Sequence, residues 1–141
     1  MALRGINHVA LKVRSLAAAD GFYGRVLGME LVGERPGMRF YRAGGHLHDL
    51  ALVEAPELTA RGGALFHFCL DVSDAEALKT LHDRCKAEGV QVLGAVDHGI
   101  SRGFYVRDPD GNVVELAMDA TAERLAELGD EAFAEDVPIR L

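Results

Sequence analysis

Two histidines, His8 and His67, stand 59 positions apart in runs that align residue for residue. Ile6-Asn7-His8-Val9-Ala10-Leu11-Lys12-Val13 lies over Leu65-Phe66-His67-Phe68-Cys69-Leu70-Asp71-Val72, and His, Leu and Val recur in register. A strand alternates its side chains, so His67 shares a face with Leu65 and Cys69, while Phe66, Phe68 and Leu70 make the other face nearly all apolar. The repeat puts His8 at the equivalent place. Glu115 lies in Asn112-Val113-Val114-Glu115-Leu116-Ala117, directly after the turn Asp108-Pro109-Asp110-Gly111. A carboxylate in an apolar strand is costly unless it is paired or bound to a metal. Two imidazoles and one carboxylate on one face, with further positions open, is the ligand set of non-haem Fe(II) oxygenases. Taken singly, each histidine could be a hydrogen-bonded structural residue and Glu115 could pair with an arginine. The duplication gives the two histidines a joint reason to be there.

The elements that must position these residues also repeat. Ser15 can cap a helix from Leu16 to Leu27, in which Leu16, Ala19, Phe22, Tyr23, Val26 and Leu27 recur at three- and four-residue spacing. Ser73 and Glu76 form the capping box of a second helix from Asp74 to Glu88, with Leu78, Leu81 and Cys85 on one side. Gly28 and Gly89 stop the two helices. Three short strands follow each helix, at 29–35, 38–43 and 46–54, then at 90–96, 101–107 and 112–118. The unit is βαβββ, twice, an α+β arrangement. Module 1 covers about 3–54, a linker 55–63 with Pro56 and the Gly62-Gly63 pair, and module 2 about 64–118. From Asp119 on, a short helix with Leu125 and Leu128 on one side stops at Gly129 and an extended end follows, with no function read in it.

With 141 residues the chain fits one domain able to bury a sizeable core. Lys and Arg number 15 against 22 Asp and Glu, a net charge of −7 that disfavours nucleic acid and anionic membranes as partners. The first residues lack a signal peptide's apolar core and no later stretch could span a bilayer, which predicts a cytoplasmic protein. Cys69 and Cys85 match no metal spacing and read as reduced core thiols. His82, on the second helix, reads as structural.

These residues resemble the vicinal oxygen chelate superfamily, which includes glyoxalase I, fosfomycin-resistance transferases, bleomycin-resistance proteins, methylmalonyl-CoA epimerase and extradiol dioxygenases. The resemblance covers roughly 4–118 and rests on Ile6 to Leu11, Phe22-Tyr23 with Leu27-Gly28-Met29-Glu30-Leu31, and Asp108 to Leu116. It implies paired modules that curl into a cupped half-barrel, with His8, His67 and Glu115 as metal ligands. A more selective stretch, Val96-Asp97-His98, Gly99 to Gly103, then Phe104-Tyr105-Val106-Arg107-Asp108-Pro109-Asp110-Gly111 and Glu115, looks like the signature of type I extradiol ring-cleavage dioxygenases. Gly45-His46-Leu47-His48-Asp49-Leu50-Ala51-Leu52 resembles the segment that carries that family's acid–base histidine, with His48 at the matching place.

The resemblance implies Fe(II), with Mn(II) as the substitute, and a catechol-type substrate cleaved with O2. His48 would serve as general acid and base, and His98 and Tyr105 would hydrogen-bond to substrate oxygens. His46 is left as a neighbour of the site. The better-known dioxygenases carry an additional pair of modules, whereas this chain has one, and a homodimer is expected to cover its sheet edges. Rival readings are a glyoxalase-type isomerase, which would want a carboxylate ligand where this chain has His48-Asp49, and a fosfomycin-type transferase. The latter needs a cationic pocket, and Arg39, Arg42, Arg102 and Arg107 show no evident clustering in the sequence. A metal-free drug-binding protein is the third, and it would have no use for the His8, His67 and Glu115 set.

Overall fold

The computed structural model describes residues 6–58 and 65–141. The chain divides into two compact units, Met1–Arg61 and Gly62–Leu141. The expected Gly62-Gly63 pair of the linker lies outside the described residues, while Leu58 N–H closes a turn onto the Ala55 carbonyl at 3.0 Å.

The first unit runs β1 (Val9–Val13), α1 (Leu16–Ala19, continued as a π-helix over Asp20–Val26), β2 (Glu30–Arg35), β3 (Met38–Arg42) and β4 (Leu50–Glu54). Its sheet has the order β1-β4-β3-β2, parallel between β1 and β4 and antiparallel elsewhere. Ser15 caps α1 as expected, its Oγ accepting from Ala18 N–H at 3.2 Å. Glu54 on β4 accepts from Leu16 N–H at 3.2 Å, which ties the helix start to the sheet. The spacing predicts an α-helix, yet the second half is wound with five-residue bonds such as Leu27 N–H to Phe22 O at 2.9 Å. Even so, Leu16, Ala19, Phe22, Tyr23 and Val26 are all buried, with Leu11, Val13, Tyr41, Leu50 and Leu52 completing the core. Each such large side chain contributes about 1.5–3 kcal/mol on leaving water.

The second unit repeats the plan with β5 (Phe68–Asp71), α2 (Ala75–Ala87), β6 (Val92–Asp97), β7 (Ser101–Arg107) and β8 (Val113–Asp119). The order β5-β8-β7-β6 matches the first sheet, again with its outer pair, β5 and β8, parallel. The cap of α2 differs from the expected capping box. Asp74 is the capping residue, accepting from Ala77 N–H at 2.8 Å, and Ser73 donates to Asp74 at 3.0 Å. Carboxylate outcompetes hydroxyl here because it is the stronger acceptor and also opposes the helix dipole. Gly28 and Gly89 adopt φ of 75° and 73°, as helix-stopping glycines should. His82 is structural as expected: it is buried beneath α2 with its ring edge-on to Phe104 at 5.2 Å. Cys85 is buried, but Cys69 is exposed, so the expectation of two core thiols holds for one only.

The tail departs most from expectation. α3 (Ala122–Leu128) buries none of its residues, and Leu125 is exposed rather than packed. A 3-10 turn over Gly129–Phe133 follows, and β9 (Val137–Ile139) then pairs antiparallel with β6, adding a fifth strand to the second sheet. Among the described residues, no helix is long and apolar enough to cross a membrane.

Candidate metal and substrate site

In the first unit, His8 directly precedes β1 and His48 lies in the loop before β4, two residues short of the strand in which it was expected. Their rings stand 4.6 Å apart, and the His48 ring is also edge-on to Phe40 at 5.4 Å. Asp49 organises this pairing. Its carboxylate accepts from the N–H groups of Ala43 and Gly44 at 2.7 and 2.8 Å, its N–H donates to Tyr41 O, and its carbonyl accepts from Val9 N–H at 2.9 Å. The loop 43–48 is thereby pinned against the start of β1, which is why β4 begins only at Leu50. Burial works against the Asp49 charge, but those N–H donors outweigh it and hold the carboxyl below its usual range. His46 is exposed in the same loop.

In the second unit, His67 directly precedes β5, matching His8 before β1. Across the sheet, Cys69, Glu115, Tyr105 and Gly94 fall in one cross-strand row. That register places the Glu115 carboxylate, 6% exposed, between two imidazoles: His67 Nε2 lies 3.1 Å from Oε2 and His98 Nε2 3.3 Å from Oε1. The Tyr105 hydroxyl lies 2.9 Å from His98 Nε2. Burial first, and the Glu115 charge second, push the Tyr105 hydroxyl up to about 12, so it keeps its proton as a donor.

Local sequence explains how these groups are held. Asp108, buried at the tip of the turn before β8, accepts from Asp110 N–H, Asn112 N–H and the Asn112 side chain at 2.8–2.9 Å. Gly111 closes the turn with φ 85°. His98 rides a second turn, where His98 N–H donates to Ser101 O at 2.8 Å and Asp97 accepts from Gly99 N–H at 2.9 Å. Arg102 clamps the other Asp97 oxygen at 3.0 and 3.1 Å.

His67, His98 and Tyr105 open onto a cavity of about 420 Å³ whose other walls include Phe66, Leu93, Val96 and Val113. Among the described residues, no lysine or arginine lines it. Phe66 is 87% exposed at its mouth.

An imidazole nitrogen and a carboxylate oxygen 3.1 Å apart have the separation of adjacent ligands on one ion, about 3 Å for bonds of about 2.1 Å. Among the described residues His67 Nδ1, the nitrogen turned away from Glu115, is buried without a hydrogen-bond partner, which leaves Nε2 as the nitrogen that faces the carboxylate. The pair His67 and Glu115 therefore fits a divalent ion. Within either unit, among the described residues, no three His, Cys, Asp or Glu side chains converge as a ready-made ligand group. The structure thus brings His8 beside His48, and His67, Glu115, His98 and Tyr105 together.

Sequence reasoning missed Asp136, whose Oδ1 lies 2.7 Å from His98 Nδ1. It also missed the apolar walls given by Leu93, Val96 and Val113.

Comparison with known proteins agrees with this architecture. The family model described as Glyoxalase/Bleomycin resistance protein/Dioxygenase superfamily matches residues 5–116. A biphenyl-2,3-diol 1,2-dioxygenase of Rhodococcus globerulus is 32% identical over 119 residues, covering 81% of this chain but only 63% of the relative's own length. A metallothiol transferase of Staphylococcus haemolyticus is 26% identical over 129 residues, covering 88% of this chain and 90% of the relative. Among solved structures, a lactoylglutathione lyase from Agrobacterium tumefaciens superposes with a TM-score of 0.66 at 29% identity, covering 84% of this chain and 96% of that one. With two βαβββ units and a family match over most of its length, this chain belongs to the Glyoxalase/Bleomycin resistance protein/Dioxygenase superfamily.

Proposed function

We propose that this chain is an extradiol dioxygenase that opens a catechol-type ring with O2, and that its two units are the paired modules of one domain. The observation that carries the reading is the hydrogen-bonded pair His98 and Tyr105, set beside Glu115 on an apolar cavity. A catechol needs donors and acceptors for its two oxygens and apolar walls for its ring, and this cavity offers both. The identity to a biphenyl-diol dioxygenase supports the same reaction class.

His67 and Glu115 would hold the metal with His8, whose place in the set rests on the sequence repeat. Fe(II) is the ion proposed, with Mn(II) as a substitute, and when bound it supplies the one-electron chemistry that lets ground-state O2 react with a catechol. The protein's residues do the rest. Tyr105 accepts a substrate hydroxyl at its phenol oxygen while donating its own proton to His98, which holds Tyr105 in place. Phe66, Leu93, Val96 and Val113 fix the ring plane and exclude water. His48 moves a proton as general acid and base, its ring steadied by His8 and Phe40. A homodimer is proposed because β1 and β5 are edge strands that need cover, and the cytoplasm is the proposed compartment.

A second reading, a fosfomycin-type thiol transferase, has the metallothiol transferase likeness in its favour. The cavity argues against it, since among the described residues no lysine or arginine lines the wall to receive a phosphonate. A glyoxalase-type site would want a carboxylate ligand where Asp49 stands, but one oxygen of that carboxylate, Oδ2, is held by two backbone N–H groups of the loop. A metal-free drug-binding protein would leave the His67 and Glu115 pair without a purpose. The test is anaerobic loading with Fe(II), then oxygen uptake and product absorbance across a panel of catechols. Uptake with a yellow ring-fission product supports the reading; tight metal binding without uptake on any catechol would move the assignment to isomerase or transferase chemistry.

A further inference from the structure

The tail contributes to the site through two independent contacts. β9 adds to the outer edge of β6, with Val137 opposite Asp97, and this carries Asp136 to the wall of the cavity. There its Oδ1 lies 2.7 Å from His98 Nδ1. Upstream in the same tail, buried Ala132 sets its carbonyl against Gly99, so closely that a Cβ at Gly99 would stand 2.6 Å from that oxygen. The turn that carries His98 is therefore held on one side by the tail's backbone and on the other by its carboxylate.

A neutral imidazole has one N–H to give, and His98 has a carboxylate at each nitrogen: Asp136 at 2.7 Å from Nδ1 and Glu115 at 3.3 Å from Nε2. The closer contact should win the proton. With the proton on Nδ1, Nε2 is left as an acceptor, and the Tyr105 hydroxyl 2.9 Å away donates to it. With the proton on Nε2, the ring would instead donate to Glu115 and occupy a carboxylate oxygen needed elsewhere.

We propose that Asp136 is a positioning residue: it draws the His98 proton to Nδ1, orients the ring, and so keeps Nε2 an acceptor for Tyr105 rather than a donor to Glu115. The consequence for turnover rests on the function proposed above, whereas the tautomer can be read in metal-free protein. In 15N-labelled metal-free protein, at a pH where the ring is neutral, two-bond 1H–15N correlation reports which His98 nitrogen bears the proton. We expect Nδ1–H in the wild type, a shift of most of the population to Nε2–H in Asp136→Ala, and a return to Nδ1–H in Asp136→Asn, whose side-chain oxygen still accepts. Asp136 is exposed, and cross-strand NOEs between β9 and β6 retained in 15N-edited NOESY spectra of the same samples verify that each variant is folded. A wild-type ring protonated at Nε2, or an Asp136→Ala ring still protonated at Nδ1, would overturn the proposal. In Fe(II)-loaded protein, Asp136→Ala should lower kcat/KM for a catechol about tenfold, with Asp136→Asn restoring it. The expected tautomers together with no turnover by any form, wild type included, would uphold Asp136 and refute the dioxygenase reading alone.

Discussion

Gly99→Ala tests whether the tail and the His98 turn are packed as one piece. Gly99 has φ 77°, a region in which an L side chain costs about 1–2 kcal/mol. The new Cβ would also meet the Ala132 carbonyl oxygen at 2.6 Å and its carbon at 3.3 Å. Both are backbone atoms, so the 3-10 turn must shift, at a further cost of about 1–3 kcal/mol. The total expected loss is about 2–5 kcal/mol. Gly89→Ala is the matched control, since Gly89 has φ 73° with nothing within 4 Å of the added carbon, and it should lose only the backbone part, about 1–2 kcal/mol. Urea unfolding of the two variants, with slopes equal to wild type, gives the difference directly. Amide exchange in β9 should accelerate in Gly99→Ala and not in Gly89→Ala. Equal destabilisation by the two substitutions, with β9 protection intact in both, would refute the packing argument.

Two further outcomes follow from carboxylates in turns. Asp108→Ala strips the acceptor from two backbone N–H groups and the Asn112 amide in a buried turn, and should cost about 2–4 kcal/mol by chemical unfolding, with Asp108→Asn costing less. Asp97, bound by Gly99 N–H and then by Arg102, and Asp49, bound by Gly44 and Ala43 N–H against the effect of burial, both titrate below the ordinary carboxylate range. Their folded-state pKa values lie below the unfolded value, so the unfolded chain binds more protons and stability rises with pH across that interval. The contribution is complete above about pH 4 and is lost as pH falls through the folded values. Asp97→Asn and Asp49→Asn should each flatten the acid limb of a stability profile, and an unaltered limb would show that these bonds carry no linkage.

The periodicity of the sequence was a good guide wherever burial decides structure. Leu16, Ala19, Phe22, Tyr23 and Val26 face the core although half of their helix is π-wound, because the apolar stripe is wide enough to tolerate the extra residue. His8 and His67 occupy matched positions before β1 and β5, as the repeat required. What periodicity could not convey were contacts decided by single polar groups. Asp49 bonds backwards to Ala43 and Gly44, which delays β4 and leaves His48 in a loop. Asp74 displaces Ser73 as a cap through charge rather than pattern. β9 is three residues long, Val137, Pro138 and Ile139, too short to alternate visibly, and its pairing with β6 spans some forty residues of chain. Asp136 sits between Glu135 and Val137 in an acidic tail, and nothing local separates it from the other carboxylates there.

If His8, His67 and Glu115 together hold the ion needed to open a catechol with O2, removal of any one of them should abolish both iron binding and turnover. Oxygen uptake by Fe(II)-loaded protein tests it most directly when wild type is compared with His8→Ala, His67→Ala and Glu115→Ala under one catechol. One O2 should be consumed per ring opened by the wild type, with loss of uptake together with loss of bound Fe(II) in all three variants. Uptake and iron retained after removal of His8 or of Glu115 would contradict it.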